Sequence, residues 1–139
     1  MRTTVYNSIL VQQSVTQAAR VNGTVNGTAI DLWSNSVGRQ VFGGALAIVQ
    51  TGTITDGTHT VEVQESDDNS SFTAVADADL QGSEPAIGAA NDNVVYEIGY
   101  RGAKRYIRVT VVTSGATTGG IFGAVLALGI PRRRPVAHS

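Results

Sequence analysis

The chain has 139 residues, 42% of them hydrophobic and 15% charged, with no cysteine and a formal net charge of −1. That is one domain's length with apolar content enough for a core of its own, and it excludes disulfides, thiol nucleophiles and cysteine metal sites together. A balance so near neutrality gives no whole-molecule attraction to nucleic acid or to an anionic membrane. In chain order, residues 1–20 alternate loosely, with Val5, Ile9, Val11 and Val15 spaced among Asn, Gln, Ser and Thr. Apolar content this thin does not support a self-sufficient element, so the stretch is expected to be an extended arm lying on something else, with room for part of it in strand pairing. Two Asn-Gly steps, at 22–23 and 26–27, supply turn chemistry. Residues 29–33 then read as a short strand, whose Trp33, the one tryptophan, is expected to anchor a core or an interface.

Residues 45–53 read as a strand of mostly buried character. Asp56-Gly57 makes a turn, and His59, Val61 and Val63 alternate with Thr60, Glu62 and Gln64, which predicts a hairpin. A polar loop, 66–71, leads into a strand over 72–76, and 77–93 reads as a long surface loop. Val94, Tyr96, Ile98 and Tyr100 alternate with Val95, Glu97 and Gly99; the turn Arg101-Gly102-Ala103-Lys104 and the β-branched run 106–113 follow. A second hairpin is expected there, with Ile107, Val109 and Val111 on one face, Tyr106, Arg108 and Thr110 on the other, and Glu97 meeting Arg108 on the polar side. Residues 121–130 contain no polar side chain, so that strand is expected to be covered on both faces, within the domain or by another subunit. Seven or eight strands and no convincing helix indicate an all-β fold, an antiparallel β-sandwich of jelly-roll or immunoglobulin-like topology. The division expected is an extended N-terminal arm over 1–20, the sandwich over 21–130 and a basic C-terminal tail over 131–139.

Catalytic chemistry finds little footing. His59 and His138 are the two histidines, and neither has the neighbours of a zinc site or of a serine triad. Asp67, Asp68 and Asn69, with Asp77, Asp79 and Asp92, do not have the spacing of a calcium loop and read as turn formers. Carboxylate pairs among Asp77, Asp79, Glu84 and Asp92 lack the aromatic cleft of a glycoside hydrolase. A non-enzymatic protein is therefore expected, with no catalytic, cofactor-binding or metal residue assigned. No apolar run has the length and composition of a membrane span, and no segment has the pattern of a signal peptide, which predicts synthesis and folding in a cytoplasm.

The charges are segregated. All eleven acids lie between Asp31 and Glu97, where Arg39 is the only base, and seven bases with no acid follow from Arg101 onward. Such segregation is satisfied either by pairing inside one fold or by complementarity between copies. Pro131 and Pro135 bracket three arginines and keep that segment extended. With no interleaved aromatics, those arginines favour contact with a protein over nucleic acid. The candidate contact residues are Arg2, Val5, Ile9 and Val11 in the arm, Arg101, Lys104 and Arg105 in the turn, and Arg132, Arg133 and Arg134 in the tail.

The runs GTAIDLWSN, TGTITDGTHTVEVQESDDNSSFTAVADADLQG, YEIGYRGAKRYIRVTV and LALGIPRRRPVA resemble small structural proteins of tailed bacteriophages and related proviruses, notably capsid decoration, or cement, proteins. The likeness spans roughly residues 27–137 and rests on the SDD…SF loop and the GY.G.KRY.RV segment. It implies a sandwich present in many copies on a virion surface, bound to the major capsid protein and self-associated as a trimer or ring. It also implies Phe72 and Tyr106 as core members and the 101–105 turn as a displayed element. The alternatives are a carbohydrate-binding module on a particle surface, which needs a platform drawn from Trp33, Tyr96, Tyr100 and Tyr106, and a tail, neck or spike subunit of the same virion.

Overall fold

The structure is a computed structural model that describes residues 4–35 and 37–138. A single helical turn, α1 (Val5–Ser8), is capped by Thr4, whose Oγ1 accepts from the Asn7 N–H. Eleven strands follow: β1 (Leu10–Arg20), β2 (Gly23–Asn26), β3 (Ile30–Asp31), β4 (Phe42–Ile54), β5 (Thr58–Ser66), β6 (Thr73–Ala74), β7 (Leu80–Gln81), β8 (Ala86–Ile87), β9 (Val95–Tyr100), β10 (Tyr106–Ser114) and β11 (Gly120–Pro131). They form two antiparallel sheets. The first runs β1-β11-β4-β9-β7; the second runs β2-β10-β5-β6, with β3 also on β10 and β8 on β5. The all-β sandwich expected from the sequence is the fold observed.

The two expected hairpins do not form. β4 and β5, the strands flanking Asp56-Gly57, lie in different sheets, and so do β9 and β10, the strands flanking 101–105. Each of these turns is an arch between layers. Glu97 consequently sits opposite Ile48 in the first sheet, while Arg108 sits opposite Gln64 in the second. The Arg108 Nε donates to Gln64 Oε1 at 2.9 Å, and its guanidinium lies 3.9 Å from the Phe72 ring centroid. The alternation within β10 holds: Ile107, Val109 and Val111 are fully buried, so Tyr106 and Arg108 face outward. Tyr106 and Phe72 are accordingly half-buried on the outer face of the second sheet, not core members.

The core lies between the sheets, with Phe122, Leu126 and Leu128 of β11 and Val49 of β4 on one side and Val61, Val63 and the inward face of β10 on the other. Residues 10–20, expected as arm, are an edge strand over their whole length and pair with β11 from Leu10↔Leu128 to Arg20↔Gly120. An edge strand has one neighbour and one buried face, so few apolar side chains suffice; Leu10 and Val15 fill the inward positions. At the β1 bulge Ser14 ties the sheets together. Its Oγ accepts from the Val109 N–H and donates to the Thr28 carbonyl, both at 3.0 Å. Gly27 makes this approach possible, because a Cβ there would run into Ser14 Oγ and the Val109 carbonyl.

The arch at Gly57, a residue at φ 84°, is held by Asp56. The Asp56 carboxylate accepts from the N–H groups of Thr117, Thr118 and Gly119 across the neighbouring arch between β10 and β11. Those bonds, led by the one from Gly119, hold its carboxyl below the usual carboxylate range. His59 is fully buried beside this arch, with Nδ1 2.7 Å from Thr113 Oγ1 and Nε2 3.2 Å from the Asp56 carbonyl.

Candidate functional site

The outward faces of the two sheets differ in chemistry. On the first sheet, the ladder places Val11, Ala127, Leu46 and Gly99 in one row and Gln13, Val125, Ile48 and Glu97 in the next, all on the side away from the core. Gln50 and Val95 continue the face. Glu97 is the only ionisable group in these rows. Val11 and Val95 are about half exposed, at 50% and 57%, and Leu46, Ile48 and Val125 remain half-open. On the second sheet the outward rows carry Arg108, Gln64, Glu62, Thr110 and Asn26, which hydrogen-bond one another. β11 is therefore apolar on both sides, with its inward face covered by the second sheet and its outward face only partly covered by this chain.

The second feature is the end of the sandwich where β4 begins and β11 ends. The basic segment after Pro131 does not trail away. The Arg132 N–H donates to the Val41 carbonyl, Val136 is buried at 4% exposure with its N–H on the Asn7 carbonyl, and the Ala137 N–H donates to Gln40 Oε1. His138 stacks on Tyr6 with ring centroids 3.9 Å apart. The tail is thus a re-entrant loop whose apolar anchor, Val136, joins the core, and its three arginines are held between two fixed points.

Arg132, Arg133 and Arg134 line a concave pocket of about 460 Å³ together with Arg39 from the 37–40 turn. None of the four guanidinium groups has a carboxylate partner among the described residues. Beside it, sharing Val41 and Arg132, lies a groove of about 640 Å³ lined by Leu32, Trp33, Phe42, Lys104 and Ile130. Trp33 is 51% exposed and Ile130 75%. The described chain has four non-glycine residues at positive φ; two are asparagines, and the others are Arg39 at 50° and Ile130 at 51°. A β-branched side chain in the left-handed region is strained, and here it holds an isoleucine in solvent at the groove wall.

The contact residues expected from sequence are divided by this geometry. Lys104 pairs with Asp67 at 2.5 Å. Arg105 forks onto Asp31, Nε to Oδ1 at 3.1 Å and Nη2 to Oδ2 at 2.9 Å. These two bases are thus spent inside the fold. Burial works to raise the Asp31 carboxyl, but the Arg105 fork and the N–H groups of Ser34 and Trp33 outweigh it and hold the group low. Arg101 is exposed, without a carboxylate partner among the described residues. Val5, Ile9 and Val11 form a separate apolar hollow with Tyr6 and His138. Arg2 lies outside the described residues. Arg39, whose only signal in the sequence is its isolation among acids, and the apolar outward positions of β4 were not among the expected contact residues.

The acidic half gathers elsewhere. Glu84 accepts from the Val63 N–H, and its carboxyl is pushed up by burial, with Glu62 and Asp77 adding to the rise. Tyr100, a core residue, is driven well above the ordinary phenol range by burial and by donating to Glu65 Oε2 at 2.7 Å. Among the described residues no group of acids and histidines is arranged to hold a metal ion, and no helix is long and apolar enough to cross a membrane. Compared with known proteins, the chain matches no family model and no curated protein.

Proposed function

We propose that the chain is a non-enzymatic structural subunit of a virion, which decorates and stabilises a capsid of the tailed-phage type by contacts with the major capsid protein and between its own copies. The observation that carries this reading is the outward face of the first sheet, where Val11, Leu46, Ile48, Val95 and Val125 surround a single carboxylate. Contiguous apolar surface of that kind is costly to leave in water and marks a protein contact. The sequence resemblance to decoration proteins supplies the particle, and the fold is of a kind suited to it. Subunits that bind only the assembled shell stabilise it by mass action, since they shift its dissociation equilibrium. Synthesis in a host cytoplasm followed by residence on the particle surface fits this role, with self-association as a closed ring or trimer.

The carbohydrate-binding alternative needs its four aromatics together. Tyr100 is core, Tyr96 packs against the core, and Trp33 and Tyr106 line different hollows. The deciding experiment is quantitative mass spectrometry of density-purified particles from producing cells. A molar ratio to the shell protein near a simple fraction of unity supports a lattice subunit. A few copies per particle moves the chain to a tail, neck or spike, and absence from particles overturns the proposal.

A further inference from the structure

From the two adjoining hollows at the β4–β11 end we infer that this surface is the docking site for a foreign protein segment, one presenting a large apolar side chain next to a run of carboxylates. The inference rests on the subunit reading above only in taking the partner to be another protein of the same particle.

Arg39, Arg132, Arg133 and Arg134 line one pocket, and among the described residues no carboxylate pairs with any of them. A guanidinium presents a planar fork that matches carboxylate or phosphate. The chain then supplies what distinguishes the two. The neighbouring groove is walled by Leu32, Val41, Phe42 and Ile130 with Trp33 exposed at its rim, and the two hollows meet at Val41 and Arg132. A phosphate backbone makes no use of an aliphatic wall, whereas tryptophan and arginine around an apolar seat are the residues that dominate protein contacts.

A second copy of this chain is a poor occupant. Glu97 stands among exposed apolar side chains but is a single carboxylate and not a run of them; Phe72, next to the Asp67-Asp68 loop, is covered by Arg108, and Ile87, near Glu84, is fully buried. The surface is also built in advance of any ligand. Val136 in the core, the Ala137 bond to Gln40 and the Arg132 bond to Val41 fix both ends of the arginine loop. Fixing them beforehand lowers the ordering cost of binding. The strained left-handed backbones at Arg39 and Ile130 fall on the two walls of this one surface. Strain retained at an exposed position is a mark of a functional contact.

Trp33, the sole tryptophan, sits on the groove and reports occupancy directly. The intact protein is titrated with a capped synthetic peptide carrying a leucine followed by a run of glutamates. Controls are the same peptide with glutamines and a short DNA duplex. The expected result is a blue shift of Trp33 emission with the acidic peptide only, weakened at least about tenfold by the double substitution Arg133→Glu/Arg134→Glu. Ile130→Gly should weaken binding while raising the thermal midpoint, a split that a purely structural role for Ile130 would not give.

The inference is overturned if the acidic peptide leaves the emission unchanged. It is overturned equally if the duplex binds more tightly at the same salt, or if sedimentation shows a self-associated form that the double substitution dissolves. Failure here is separable from failure of the subunit reading. Absence of the chain from particles removes the latter and leaves the peptide titration intact. Normal incorporation without peptide binding removes only the docking site.

Discussion

Replacing Ser14 by alanine tests how the two sheets are joined. The hydroxyl is buried at 4% exposure, accepts from the Val109 N–H and donates to the Thr28 carbonyl. Deleting it leaves one buried amide donor without a partner and weakens the hold on one carbonyl. An unsatisfied buried group costs about 1–3 kcal/mol, and the second, partly solvated group adds less, so the loss should total about 2–4 kcal/mol. With a urea m-value of about 2 kcal/mol per molar for a domain of this size, the unfolding midpoint should fall by about 1–2 M. Ser8→Ala is the control: its hydroxyl bonds the Thr4 carbonyl at an exposed helical turn, and its loss should stay within about 0.5 kcal/mol. Equilibrium urea unfolding followed by tyrosine and tryptophan emission reads both. A Ser14→Ala midpoint within about 0.3 M of the parent's, on the same m-value scale, would refute the idea that this hydroxyl is a required link between the layers.

Gly119→Ala should cost about 3 kcal/mol or more, because φ is 82° and the new Cβ would drive into the Arg20 carbonyl; Gly115→Ala, also left-handed at 67° but with open space around it, should cost only about 1 kcal/mol. Thermal midpoints of the two variants check the contrast. Asp56 and Asp31 have folded carboxyls held below their ordinary value near 3.8, so the stability they bring is present above that pH and is lost as pH falls through the lowered folded values. Asp56→Asn should therefore flatten acid unfolding in that window, measured by circular dichroism against pH. Glu84 has the opposite sign, since its raised carboxyl makes ionisation unfavourable to the fold, and Glu84→Gln should raise the thermal midpoint slightly at neutral pH while keeping an acceptor for the Val63 N–H. Ile48→Lys would place an ammonium amid the outward face of the first sheet and should weaken self-association by roughly a hundredfold in sedimentation, with the monomer still folded.

Strand positions and buried faces were written plainly in the chain, because alternation at Ile107, Val109 and Val111 is a local property of one strand. Pairing was not. Asp56-Gly57 and the 101–104 turn specify that the chain reverses, but the same residues serve a hairpin within one sheet and an arch between two. The choice is made by distant strands, since β11 takes the place beside β4 that β5 would have had. Residues 10–20 looked too polar to belong to the fold for a related reason: an edge strand borrows its burial from the neighbour, and here the neighbour is the most apolar strand of the chain. The arginine pocket was half visible. The run at 132–134 stood out, whereas Arg39 reaches it only because Ala137 and Gln40 bring the 37–40 turn against the returning tail. Lys104 and Arg105 looked as available as the others, and only the fold reveals that Asp67 and Asp31 stand close enough to claim them.

The position of β11 also sets when the protein can come into being. β11, the latest in chain order of the eleven strands, is the second in a sheet of five, flanked by β1 and by β4. Until residues 120–131 have left the ribosome, β1 has no partner in that sheet, β4 lacks one of its two, and Phe122, Leu126 and Leu128 are missing from the core. Folding of this sandwich must therefore wait for residues 120–131 and then close the long loop that separates β1 from β11, which makes it slow. During that interval the apolar face of β4 stands exposed in the nascent protein, so its yield in a cell should depend on chaperones that shield unpaired strands.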